Sequence, residues 1–197
     1  MSKDDDTLTQ RFLSVTDHGP RVTRAITISV GREAAQVIGL GSDHNGFALK
    51  QKLLSFLVER GEEVHDFGTF SDAPVDYPDI AAALAEAVRD GLIERAILVC
   101  GTGLGMAIAA NKVPGAYAAP VVDACTARKA RESNGAQIIT LGAQLLDPPL
   151  AFAVADAWLK ADFRGGDSAR KVAKIRSLEE RYASSSALAL ARGGQLC

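Results

Sequence analysis

The sequence predicts an α/β fold of the three-layer, doubly wound type, with about five parallel strands flanked by helices. Two observations carry this. From Val37 onward, short apolar runs alternate with amphipathic stretches of helical period, the rhythm of βαβ units. The turns between them are marked by Gly, Pro, Asn and Asp, and the two most polar of these turns directly follow strand-like runs, where open parallel sheets bind ligands.

The strands are expected at Val37–Leu40, Glu63–Asp66, Ala96–Cys100, Ala116–Val121 and Ile138–Leu141. Each is a short β-branched or apolar run bounded by turn residues. Helices are expected at Phe47–Glu59, Pro78–Arg89, Leu104–Lys112, Thr126–Ser133, Leu150–Lys160 and Ala169–Tyr182. In the first, Leu49, Leu53, Leu54 and Leu57 share a face; in the second, Pro78 suits a first helical position. Residues 1–36 form an N-terminal extension with an acidic start and an alternating run, Arg24–Val30. Residues 37–182 are read as one Rossmann-like domain, and 183–197 as an Ala/Ser/Gly-rich tail expected to fray. No internal repeat divides the core.

The 197 residues, 47% hydrophobic and 23% charged, are enough for one buried core. A net charge of -2 without a basic run argues against nucleic-acid binding and for a small-molecule partner. No apolar run approaches a membrane span, and the Met-Ser-Lys-Asp-Asp-Asp start is unlike a signal sequence. Cys100, Cys125 and Cys197 are odd in number and widely spaced, with no Cys/His pattern suited to zinc. Free thiols imply a reducing compartment, so a cytoplasmic location is expected.

Two loops are built for chemistry. Gly41-Ser-Asp-His-Asn-Gly46 gathers an acid, an imidazole and an amide after the first strand. Cys100-Gly-Thr-Gly-Leu-Gly105 ends the third strand and opens a helix. Its glycines let backbone N–H groups approach an anion. The dinucleotide pattern GxGxxG is absent, and no acid closes the next strand near residue 121, so a nucleotide is the minor reading. A thiol at a helix N-terminus ionises more readily than a free one. This favours a reactive Cys100 over an inert, buried one; Cys125 and Cys197 lack such a setting.

The strings Gly41–Lys50, Asp76-Tyr-Pro78 and Cys100–Lys112 (CGTGLGMAIAANK) resemble those of ribose-5-phosphate isomerase type B, the galactose-6-phosphate isomerase subunits and the erythrulose-phosphate isomerases, from about Val37 to Tyr182. The resemblance implies an aldose–ketose isomerase of pentose-phosphate or related carbohydrate metabolism. Such an enzyme works through a cis-enediolate without metal or cofactor, as a homodimer or tetramer with its site at the subunit interface. Carried over, Cys100 is the base. Thr102 and the N–H groups of Gly101, Gly103 and Gly105, in the loop that also contains Leu104, hold the enediolate. Asp43 binds sugar hydroxyls, Tyr77 lines the site, His44 faces the phosphate end and Asn134 serves the partner's site. A second branch of the family has a glutamate where Met106 stands, which leaves Cys100 as the base.

Three departures bear on the substrate. Ser133 occupies the place of a ring-opening histidine, and Ser133–Thr140 is closer to the erythrulose-phosphate branch. Gln144, Asp167 and Lys171 stand where the family has phosphate-clamping arginines. The phosphate would then rest on His44, Lys171 and Arg170. The alternatives are an isomerase of an unphosphorylated sugar or sugar acid, and a non-catalytic sugar-binding partner subunit. Asp167 or Ser168 also suits a helix N-cap, His18 and His65 read as surface or hydrogen-bonded histidines, and Trp158 as core or interface.

Overall fold

The computed structural model describes residues 37–193, with side chains as far as residue 183. The N-terminal extension, with the strand-like run at 24–30, His18 and Cys197 lie outside the described residues. Five parallel strands form one sheet: β1 (Ile38–Ser42), β2 (Val64–Asp66), β3 (Arg95–Cys100), β4 (Ala118–Pro120) and β5 (Ile138–Gly142). Between and after them run α1 (Phe47–Glu59), α2 (Tyr77–Arg89), α3 (Leu104–Ala110), α4 (Ala124–Asn134), α5 (Pro148–Leu159) and α6 (Asp167–Gly193). The α/β, doubly wound prediction holds.

The strand order is β2-β1-β3-β5-β4. The central strand β3 pairs Ile38–Ser42 on one side through Arg95–Val99, and Ile138–Gly142 on the other through Ala96–Cys100. All six of its residues are buried. That explains its unbroken Arg-Ala-Ile-Leu-Val-Cys run: a parallel strand covered on both faces has no reason to alternate.

Two apolar layers sandwich the sheet. On one face Ile38, Leu40, Ile97, Val99, Ile139 and Leu141 meet Leu49, Leu53 and Leu57 of α1, Ala127 and Ala130 of α4, and Ala151, Val154 and Trp158 of α5. On the other, Ala96, Leu98 and Ile138 meet Ile80, Leu84 and Val88 of α2, and Met106 and Ala110 of α3. Trp158 belongs to the core: it is wholly buried, and its indole N–H donates to Ala136 O at 3.3 Å.

Asp123 and Asp147 cap α4 and α5, each accepting from the backbone N–H three residues on. The expectation of a frayed tail from Ala183 is corrected in part, because α6 continues through the Ala/Ser-rich stretch to Gly193. Ala and Leu are strong helix formers and no proline interrupts them.

Candidate active site

β1 and β3 are neighbours, yet the chain leaves β1 into α1 on one face and β3 into α3 on the other. Their following loops therefore diverge and leave a crevice at the carboxyl edge, the usual ligand position in such sheets. Both sequence-predicted loops lie there.

The first loop is pressed onto the end of β3. The Asp43 N–H donates to Val99 O at 3.2 Å, and Gly46 lies so close that a Cβ there would sit 2.3 Å from the same oxygen. Asp43 is buried, and its Oδ1 accepts from the Gly46 N–H at 2.8 Å. The His44 Nδ1 accepts from the Val75 N–H at 3.3 Å, and the side-chain amide nitrogen of Asn45 lies 3.1 Å from Nε2.

The glycine loop is seated on the end of β5. Ala143 and Gln144 N–H groups donate to Cys100 O and Gly101 O at 2.8 and 3.0 Å, and the Thr140 hydroxyl donates to Gly103 O at 2.8 Å. Gly103 has φ +81°, left-handed backbone that glycine adopts freely, and any Cβ would meet the Leu141 carbonyl carbon at 3.1 Å. This turn delivers the Gly103 N–H to the Cys100 Sγ at 3.1 Å. That N–H, expected to face a ligand, is thus engaged with the sulfur, whereas the first turn of α3 offers the N–H groups of Leu104 and Gly105 without intrahelical acceptors. Thr102 and Leu104 are exposed, and Met106 points into the core.

Tyr77 opens α2 and lays its ring across Gly105: a Cβ on that glycine would lie 2.7 Å from Cζ and 3.1 Å from the hydroxyl oxygen. Gln144 covers Gly101 in the same way, with Nε2 3.2 Å from the Cβ position. One edge thus gathers Asp43, His44, Tyr77, Cys100, Gly101, Thr102, Gly103, Leu104, Gly105 and Gln144.

Asn134 and Lys171 are not part of that gathering within the chain. Asn134 ends α4, four residues before β5 starts beside Ala96 at the amino edge of the sheet. Lys171 is in the first turns of α6, tied to the same edge where the Arg164 N–H donates to Glu132 O and the Gly115 N–H to the Glu179 carboxylate. The length of β3 separates the two edges by roughly 16 Å. Cys125 is exposed near the start of α4, and His65 pairs with Glu63 at 3.6 Å. Among the described residues no cluster of three or more His, Cys, Asp or Glu could hold a metal, and no helix is long and apolar enough to cross a membrane.

A group that the sequence reading passed over is Lys50. Its side chain is wholly buried, and Nζ donates to both Asp66 carboxylate oxygens at 2.6 Å and to Thr69 O at 2.7 Å. Burial lowers its pKa from the ordinary lysine value, against the opposing pull of Asp66. The available signal was positional, since a lysine at i, i+3, i+7 with Leu53 and Leu57 sits on the apolar face of its helix.

The fold and the two loops define a ligand site at the carboxyl edge of a doubly wound sheet, and similarity to known proteins makes the chain an aldose–ketose isomerase. The chain belongs to the Ribose/Galactose Isomerase family, which matches residues 38–175. It is 44% identical over 144 residues to "Ribose-5-P isomerase B" of Listeria innocua, covering 73% of this chain and 97% of that one. It is equally, 44%, identical over 146 residues to "D-erythrulose-4-phosphate isomerase" of Pectobacterium atrosepticum, covering 73% and 95%. The solved structure of Clostridium thermocellum ribose-5-phosphate isomerase B superposes with a TM-score of 0.73 at 49% identity, covering 74% of this chain and 99% of that one.

Proposed function

We propose that this enzyme interconverts an aldose phosphate and a ketose phosphate of four to six carbons through a cis-enediolate, with Cys100 as the base. The observation that carries this reading is the Cys100 sulfur itself, held at the crevice by the Gly103 N–H at 3.1 Å. That donor fixes the sulfur and complements negative charge on it.

In the forward direction the Cys100 thiolate removes the C2 proton of the open-chain aldose. The electron pair forms the C1–C2 double bond, and the carbonyl oxygen becomes the enediolate oxygen. Return of the proton to C1, with proton exchange between O1 and O2, gives the ketose. The N–H groups of Gly101, Leu104 and Gly105 and the Thr102 hydroxyl meet charge that develops only in the transition state, where stabilisation accelerates the step. Asp43, with Oδ1 closing its own turn, offers Oδ2 to a sugar hydroxyl. His44 and Tyr77 line the crevice, with the His44 imidazole toward the phosphate end. Asn134 and Lys171, on the far edge, serve the site of a second copy in a homodimer or tetramer. The free Cys100 thiol fits a reducing, cytoplasmic setting.

Coupled assays on ribose 5-phosphate, erythrulose 4-phosphate and allose 6-phosphate test this. Turnover of one of them, reduced by about 10²–10⁴ in Cys100→Ala, is the expected result. Equal rates for variant and wild type would remove Cys100 as the base.

A second reading is an unphosphorylated sugar or sugar acid, favoured by the neutral Gln144 amide over Gly101. Inorganic phosphate decides between them: competition supports the phosphate site, and no competition at tens of millimolar supports the second reading.

A further inference from the structure

The buried Lys50 belongs to no step of the mechanism, and its surroundings show what it can control. Its ammonium lies over the rings of Phe47 and Phe70, 5.7 and 5.3 Å from their centroids, and bonds Asp66 and the Thr69 carbonyl. Asp66 in turn accepts from the Gly68 N–H at 2.9 Å. Segment 66–70 is therefore gathered around one cation supplied by α1.

The same segment brackets the last residue of β1. The Ser42 N–H donates to Gly68 O at 2.6 Å, and the Thr69 N–H donates to Ser42 O at 2.7 Å. Ser42 immediately precedes Asp43 and His44. The Asp43 backbone is fixed on its other side by Val99 O. The loop carrying both ligand-facing side chains is thus held between β3 and a segment whose own shape depends on Lys50.

We propose that Lys50 is a positioning residue: through Asp66 and Thr69 it sets the 66–70 segment that holds Ser42, and so aims Asp43 and His44 at the substrate. A buried charge is costly to keep, and its removal leaves Asp66 and the Thr69 carbonyl short of a donor. The segment then relaxes, and the loop with it. Cys100 is anchored independently, by β5 and Gly103. Loss of Lys50 consequently weakens substrate binding more than proton transfer.

This inference rests on the proposed sugar-phosphate site for its kinetic readout, so a second readout needs no substrate. In the full-length Lys50→Met protein, KM is expected to rise about tenfold with kcat within about threefold of wild type. The ring resonances of His44, assigned with His44→Gln, are expected to shift in the ligand-free protein. Asp66→Asn, which keeps the side-chain shape, is expected to move both quantities in the same direction by less, and it carries the test if Lys50→Met does not fold. A folded variant with unchanged KM and unchanged His44 resonances overturns the proposal, as does a fall in kcat alone. If the wild type turns over no sugar phosphate, the proposed function fails, and the His44 resonances still decide the role of Lys50.

Discussion

Gly46 and Gly105 both lie against something a methyl group would strike, but the obstacles differ. At Gly105 the obstacle is the ring of Tyr77, a partly exposed side chain that can swing away. Gly105→Ala is expected to change stability by less than about 1 kcal/mol while kcat/KM falls about tenfold or more, because Tyr77 leaves its place in the crevice. At Gly46 the obstacle is the Val99 carbonyl, main chain of the central strand at 2.3 Å, which has nowhere to go. Gly46→Ala is expected to cost about 3 kcal/mol or more, read from the urea midpoint with the m-value unchanged. Neither contact was legible beforehand. Composition marks a glycine as a turn residue, but only the fold says whether it yields space to a side chain or to backbone.

At the scale of elements, α4 carries both a candidate site residue and an electrostatic tie. Desolvation works against ionisation of Glu132, but the hydrogen bond from Lys129 and the charges of Arg164, Lys129 and Arg128 outweigh it and hold its carboxyl below the ordinary glutamate value. A carboxyl depressed in the folded state contributes stability that is complete above its unfolded pKa and is lost as pH falls through the folded value. Between about pH 6 and about pH 3 the urea midpoint is therefore expected to fall further in wild type than in Glu132→Gln. The partners Lys129 and Arg128 are near in sequence, but Arg164 is brought in by the turn after α5, and no local pattern announces it. The helices and strands themselves were largely legible, because burial imposes its period on each segment separately. Helix ends were less so: α6 begins two residues ahead of its apolar pattern, at Asp167, and runs well past it at the other end, where propensity alone carries Ala-rich chain onward.

For the molecule as a whole, strand order was the illegible part. β5 lies between β3 and β4, and the hydrophobic pattern of a strand does not say which strand it pairs. That order brings Gln144 over Gly101 and Thr140 under Gly103, and it leaves Asn134 and Lys171 on the opposite edge from Cys100. If two copies complete each other's sites, inactive Cys100→Ala and Asn134→Ala proteins unfolded and refolded together should regain roughly a quarter of wild-type activity. Half of the random dimers are hybrids, and each hybrid has one intact site. No recovery above the sum of the parents would mean that Asn134 does not act in the partner's site, and an active Asn134→Ala protein would place it outside the reaction.

The central strand has one more consequence, for how the protein opens. With hydrogen-bonded neighbours on both edges and apolar layers on both faces, β3 belongs to the part of a fold that comes apart only when everything does. Cys100 is its last residue. Partial openings at the sheet margins, where β2 and β4 have three residues each, would pass the thiol by. The proposed base is thus mounted on the most deeply embedded strand, while the groups proposed to grip the substrate ride on loops around it.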